Sequence, residues 1–223
     1  MTEQHAAAAT ELRARVVQLV SDVDPSALDA PAPACPGWRA RDVLAHLVGV
    51  GDDVVSGRID GIASEEWTAA QVERRRDIPI AELLADWARW GPQFEQLLGS
   101  GPPDMTGQAL YDAATHEHDL RHAIGRPGAR DSTAMQAGWD WLIEARTRGG
   151  APAIRIVTER GDDIAGVGEP CATVRAPYFE LFRATTGRRT AAEMSSFDWE
   201  PGPNIEMIVA APFFTIRTES LGE

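Results

Sequence analysis

The feature that most constrains this chain is a change of period. Up to about residue 149 the apolar residues recur at helical spacing, and beyond it they alternate. Leu12, Val16, Leu19, Val20 and Val23 predict a helix over 4–23. "ARDVLAHLVGVGDDVVSGRID" predicts a second over 40–60, with Asp42 in its first turn, where the helix dipole favours negative charge. "IPIAELLADWARWGPQFEQLLGS" predicts a third, with Pro79 at its start. A fourth runs over about 105–125 and is stopped by Gly125 and Pro127. "STAMQAGWDWLIEARTRGG" predicts a fifth, capped by Ser132. From 149–152 onward Ile154 and Ile156 alternate with polar residues, as in a strand. "APYFELFRATTGRRTAAEMSSF" reads as helix, turn at Gly187, helix, and "IEMIVAAPFFTIRTES" as a strand or docked extended segment. The predicted fold is mainly α with a small α/β part: a helical bundle over 1–149, then a small α/β domain over 150–223.

A chain of 223 residues can bury a sizeable core. Its 34 acidic residues against 21 basic ones give a net charge of −13, which repels phosphate backbones and argues against nucleic-acid binding. All 21 basic residues are Arg, so no side-chain amine is present for Schiff-base chemistry. "MTEQHAAAAT" has neither the basic nor the apolar region of a secretion signal, and no apolar run approaches a membrane span. Cys35 and Cys171 form neither a disulfide framework nor a CxxC pattern. The expectation is a cytoplasmic protein with no membrane partner.

"YDAATHEHDLRHAIG" holds three of the five histidines, His116, His118 and His122, interleaved with Asp112, Glu117 and Asp119. At about 100° per residue, His116 and Asp112 fall with Ala109, Ala113 and Leu120 on one stripe or its edge. His118 and His122 fall with Tyr111 on the other side, which predicts a solvated polar face. Asp112 and His116, one turn apart on an inward face, can chelate a metal ion or simply hydrogen-bond each other. The same construction puts His46 at the edge of the second helix's apolar stripe. Two such stripes in one bundle can bring His46, Asp112 and His116 together. Two His and one carboxylate leave coordination positions open, the mark of a catalytic site.

"CPGWRARDVLAHLVGV" (35–50) and "DAATHEHDLRHAIG" (112–125) resemble the mycothiol-dependent maleylpyruvate isomerase family, whose N-terminal domain belongs to the DinB-like metal-binding four-helix bundles. "FELFRATTGRRTAAEMSSFDW" (179–199) is similar to a segment of that family's C-terminal part. The resemblance implies a metal triad of His46, Asp112 and His116, with Zn²⁺ as the expected ion and mycothiol as cosubstrate. The family's carboxylate is typically Glu in the isomerase, whereas Asp112 is one methylene shorter. The implied chemistry is isomerisation through a transient thiol adduct, or thiol S-transfer, on a small electrophile that can carry a carboxylate. Arg183, Arg188 and Arg189 are candidates to hold that carboxylate, with Arg183 and Arg188 in the catalytic role. Cys35 reads as a packed thiol or a reactive one beside the site, Trp38 as the loop's anchor, and Asp53 as a group behind the ligands or at the mouth. The other readings are a metal-dependent hydrolase and a non-catalytic metal-binding module. A monomer or homodimer is expected.

Overall fold

The computed structural model describes residues 2–209 and 214–223. They form two compact units, Met1–Gly138 and Trp139–Glu223.

The first unit is helical. It contains α1 (Thr2–Ser21), α2 (Ala40–Val55), α3 (Glu65–Arg75), α4 (Ile80–Ser100), α5 (Pro103–Ala123) and the start of α6 (Thr133–Arg148). α1 packs on α4 and α5, while α2 packs on α3, α4 and α5. Leu12, Val16 and Val20 of α1 are buried, as their spacing requires, together with Val43, Leu44, Leu47 and Val48 of α2 and Leu83, Trp87 and Trp90 of α4. The α2–α4 crossing is close because residue 51 is glycine: a Cβ there would sit 2.1 Å from the Trp90 ring. α2 ends at Val55 rather than near residue 60. Gly57 takes φ +71°, and the amide of Arg58 turns back to the Asp53 carbonyl.

α3 lies where no helix is predicted from the sequence. Its signals are nevertheless local. The Ser64 side chain accepts from the Trp67 amide, Glu65 and Glu66 occupy the first turn, and Arg74 and Arg75 the last.

One expectation for α5 is overturned. Tyr111 and His118, assigned to a solvated face, are buried, and His122 is half-buried. Helix α6 reaches that face: a Cβ on Gly138 would come within 2.6 Å of the Tyr111 Cα, so the two backbones nearly touch there. His118 lies two turns beyond Tyr111 on the same side. α5 is therefore covered on both sides, and a single apolar stripe underestimates its burial. Glu117, fully buried, is held by Arg15 of α1 and Arg121.

The second unit carries a four-stranded sheet in the order β2-β1-β3-β4. The alternation at Ile154 and Ile156 becomes β1 (Pro152–Thr158), which turns into β2 (Gly161–Ala165). β3 (Val167–Arg175) runs parallel to β1 on its other side, and β4 (Asp198–Glu200) is antiparallel to β3. The chain passes from β2 to β3 around the start of β1 through Gly166, at φ +120°. A Cβ there would lie 2.6 Å from the carbonyl oxygens of Ala151 and Pro152, so only glycine fits. α7 (Tyr178–Thr185), a turn with Gly187 at φ +71°, and α8 (Ala191–Ser195) follow as predicted. In the tail, Ile205–Met207 is a 3₁₀ turn rather than a strand, and Arg217 bridges Thr190. Residues 210–213 of that predicted segment lie outside the described residues.

Among the described residues no helix is long and apolar enough to cross a membrane.

Candidate metal centre

The candidate centre lies wholly in the first unit and is built from α2, α3, α5 and the loop before α2. α2 supplies His46, which is buried, and α5 supplies Asp112 and His116 one turn apart. Their donor atoms come together as the paired inward faces predict. His46 Nε2 lies 3.3 Å from Asp112 Oδ2, and His116 Nε2 lies 3.6 Å from Asp112 Oδ1. The two imidazole centroids are 4.6 Å apart. One ligand atom from each of the three residues falls within a single small cluster.

The other edge of each ring is held. His46 Nδ1 is 2.8 Å from Gln71 Oε1, where it donates to the amide oxygen of α3. His116 Nδ1 is 3.1 Å from Asp119 Oδ2, one turn along α5. A proton on each Nδ1 leaves each Nε2 as a lone pair directed toward Asp112. His46 Nε2 is buried and, despite its 3.3 Å approach to Asp112, has no hydrogen bond of acceptable geometry. A buried acceptor in that condition is costly unless a ligand completes it. Two imidazole lone pairs and a carboxylate suit a divalent ion such as Zn²⁺, and the outer hydrogen bonds are those that orient metal-ligating His.

Burial pushes the His116 imidazole below the ordinary histidine range. The hydrogen bond to Asp119 opposes that shift, while the neighbouring His46 adds to it. A neutral ring is the form that ligates. Asp112, by contrast, keeps 41 % of its side chain exposed, so the centre opens to solvent on the carboxylate side.

The proline-rich loop covers the other side. Its backbone closes on itself, with the Ala32 amide bonded to the Trp38 carbonyl and the Trp38 amide to the Cys35 carbonyl, around Gly37 at φ +85°. The Trp38 ring thereby lies over both imidazoles, 5.6 Å from His46 and stacked 6.2 Å from His116. The same turn sets Cys35 Sγ 3.3 Å from Asp119 Oδ2. Gln71 is the contributor that the sequence reading missed, whereas Asp119 stands in the motif over 112–125 but is given no role there. Gln71 lay in an unrecognised helix, although Ser64 and the acidic first turn marked its start. Asp119 sits three residues after His116, a spacing that places the two on one face.

Asp53 does not join this centre. It is fully buried but paired to Arg58 and Arg74. It anchors the end of α2 to α3 and does not stand behind the ligands.

In the second unit, Arg183 is fully buried and its guanidinium grips Glu223 through Nε and Nη2, at 2.9 and 2.6 Å. Arg189 bridges Glu180 and Glu223. Arg188 donates to the Thr186 carbonyl at 2.6 Å, with its guanidinium 5.5 Å from the Phe214 ring centroid.

The fold has solved counterparts. A crystal structure of the mycothiol-dependent maleylpyruvate isomerase aligns over 92 % of this chain and 95 % of its own, with a TM-score of 0.56 at 12 % identity. A structure of a histidine-to-alanine mutant of that isomerase aligns with the same values. At that identity the likeness is one of fold. No curated protein sequence matches the chain. Residues 9–160 match the sequence profile of the mycothiol maleylpyruvate isomerase N-terminal domain, and the chain belongs to that family.

Proposed function

We propose that this chain is a metal- and mycothiol-dependent enzyme that isomerises a small electrophile through a transient thiol adduct or transfers the thiol to it. The observation that carries the reading is the pairing of both Nδ1 atoms, His46 with Gln71 and His116 with Asp119, which aims both Nε2 lone pairs at Asp112. His46, Asp112 and His116 would hold one divalent ion, with Zn²⁺ matching their donor set. That ion would supply the positive charge that lowers a thiol's pKa, so that a nucleophilic thiolate forms near neutral pH.

The chain's own groups do the rest. Gln71 and Asp119 hold the imidazoles in one tautomer and orientation, which removes reorganisation from the reaction. Trp38 shields the imidazole faces from water. The exposed edge of Asp112 leaves an approach for thiol and substrate. Family membership favours mycothiol as the thiol. We assign Arg183 and Arg188 the holding of a substrate carboxylate. For Arg183 this requires the substrate to replace Glu223.

The test is metal analysis of the purified protein, thermal shift with mycothiol, and turnover of maleylpyruvate and simple electrophiles with and without mycothiol. One ion per triad and turnover that needs both metal and thiol support the reading. Turnover that needs metal but ignores the thiol would identify a hydrolase, and a folded, metal-loaded protein with no turnover would be a binding module. Arg188→Ala should raise KM for a carboxylate substrate with little change for a neutral one.

A further inference from the structure

We propose that Cys35, Asp119 and the Nδ1 edge of His116 form a second metal position for a thiophilic divalent ion, on the opposite edge of the His116 ring from His46 and Asp112. The proposal goes beyond the function argued above and does not depend on it, because the position is defined by its own three donors.

Those donors come from two separate segments. Cys35 Sγ is 3.3 Å from Asp119 Oδ2 and 3.9 Å from His116 Nδ1, and His116 Nδ1 is 3.1 Å from Asp119 Oδ2. One ligand atom from each lies in one cluster, as in the His46 set. Zn–S bonds of about 2.3 Å and Zn–N or Zn–O bonds of about 2.0 Å at tetrahedral angles give donor-to-donor edges of roughly 3.3 to 3.6 Å. The observed spacings straddle those edges, so only small side-chain adjustments separate them from a ligating face. The Cys35 backbone is fixed by its amide bond to the Ala32 carbonyl and by the Trp38 amide on its own carbonyl. A thiolate and a carboxylate also bring two negative charges, which balance a divalent ion where Asp119 is fully buried and net charge is costly. Without the ion, the Cys35 thiol and His116 Nδ1–H both donate to Asp119. Binding forms metal–sulfur, metal–nitrogen and metal–oxygen bonds; the thiol proton leaves to solvent and the ring proton moves from Nδ1 to Nε2, so the ring ligates neutral. With the His46 set also filled, His116 would serve both positions only by giving up its second ring proton to solvent as well.

The experiment uses the full chain carrying Cys171→Ser, which removes the exposed second thiol. Anaerobic titration with Co²⁺ is followed by equilibrium dialysis and by the near-ultraviolet thiolate-to-cobalt charge-transfer band. Two equivalents and the band are expected. Adding Cys35→Ser, or Cys35→Ala with folding checked by circular dichroism, should leave one equivalent and no band. Adding His46→Ala instead should leave one equivalent and keep the band. A single equivalent without the band in the Cys171→Ser protein, or a band that survives loss of Cys35, overturns the proposal. Absence of thiol-dependent turnover in a protein that shows the band counts against the function proposed above and leaves this site standing.

Discussion

His116 Nδ1 and Asp119 Oδ2 lie 3.1 Å apart, one turn along the same helix, so a buried carboxylate fixes which nitrogen of the ring faces His46 and Asp112. His46 is fixed in the same sense by Gln71. Both oriented rings depend on residues that touch no ion of the His46 set.

Removing either support should weaken metal binding without unfolding the bundle. Asp119→Asn and Gln71→Ala should each lower affinity at the His46–Asp112–His116 set by about 10- to 100-fold. Competition against a chelator in a Cys35→Ser background isolates that set. Affinity equal to that of the parent would mean the ring orientation is maintained by packing alone.

His118→Ala should separate burial from ligation. His118 is only 4 % exposed but lies on the side of α5 that carries Tyr111, away from Asp112. The substitution should cost about 1–3 kcal/mol of stability through the cavity it leaves, while metal content stays at the parent level. Metal loss in a protein that remains folded would show that the ligand set is drawn from the wrong face.

Glu223 should make the second unit acid-sensitive. Burial pushes its carboxyl up, but the hydrogen bond and charge of Arg183, then those of Arg189, outweigh burial and hold it below its ordinary 4.5. A carboxylate with a depressed folded-state pKa contributes stability that is complete above its unfolded value. That contribution is lost as pH falls below about 4.5 and through the folded value. Glu223→Gln, which removes the carboxylate that the fully buried Arg183 grips, should cost about 3 kcal/mol near neutral pH and flatten that acid limb. Denaturant melts of parent and variant between pH 3 and pH 7, buffer values chosen to span about one to two units around the carboxylate range, check both points. An acid limb that persists in Glu223→Gln would assign it to other carboxylates.

The residues of the candidate ligand set could be singled out because two periodicities had to agree. His46 on α2 and the Asp112–His116 pair on α5 each stand at the edge of an apolar stripe, and a bundle turns such stripes toward one another. What was not legible came from neighbours. The burial of Tyr111 comes with the close approach of Gly138 of α6, a contact that no helical wheel of α5 contains. Gln71 sits on a helix whose polar, charged sequence gives little apolar period, so its caps were the available signal. Asp53, at the right spacing from His46, was claimed instead by Arg58 and Arg74, because two guanidinium groups compete for any buried carboxylate they can reach. Arg183 stood out as an arginine in an apolar run, and that mark was real: the run buries it completely, against Glu223.

Asp112→Glu tests whether the short carboxylate sets this chain's chemistry. Asp112 approaches both imidazoles from α5, with Oδ2 3.3 Å from His46 Nε2 and Oδ1 3.6 Å from His116 Nε2, while 41 % of its side chain faces solvent. The extra methylene of Glu has room on that open side, so the substitution should fold normally and keep a ligating oxygen near both rings. It also moves the carboxylate charge by about one bond length relative to any thiol or substrate entering from solvent. The expected result is retained metal, with affinity changed by no more than about tenfold. The ratio of kcat/KM between maleylpyruvate and other electrophiles should shift, toward maleylpyruvate if the longer side chain is what the isomerase reaction needs. Isothermal titration with Zn²⁺ and parallel kinetics on the substrate panel read the two effects separately. If neither affinity nor preference moves, the carboxylate length is neutral, and selectivity is set by the loop bearing Cys35 and Trp38 or by the second unit.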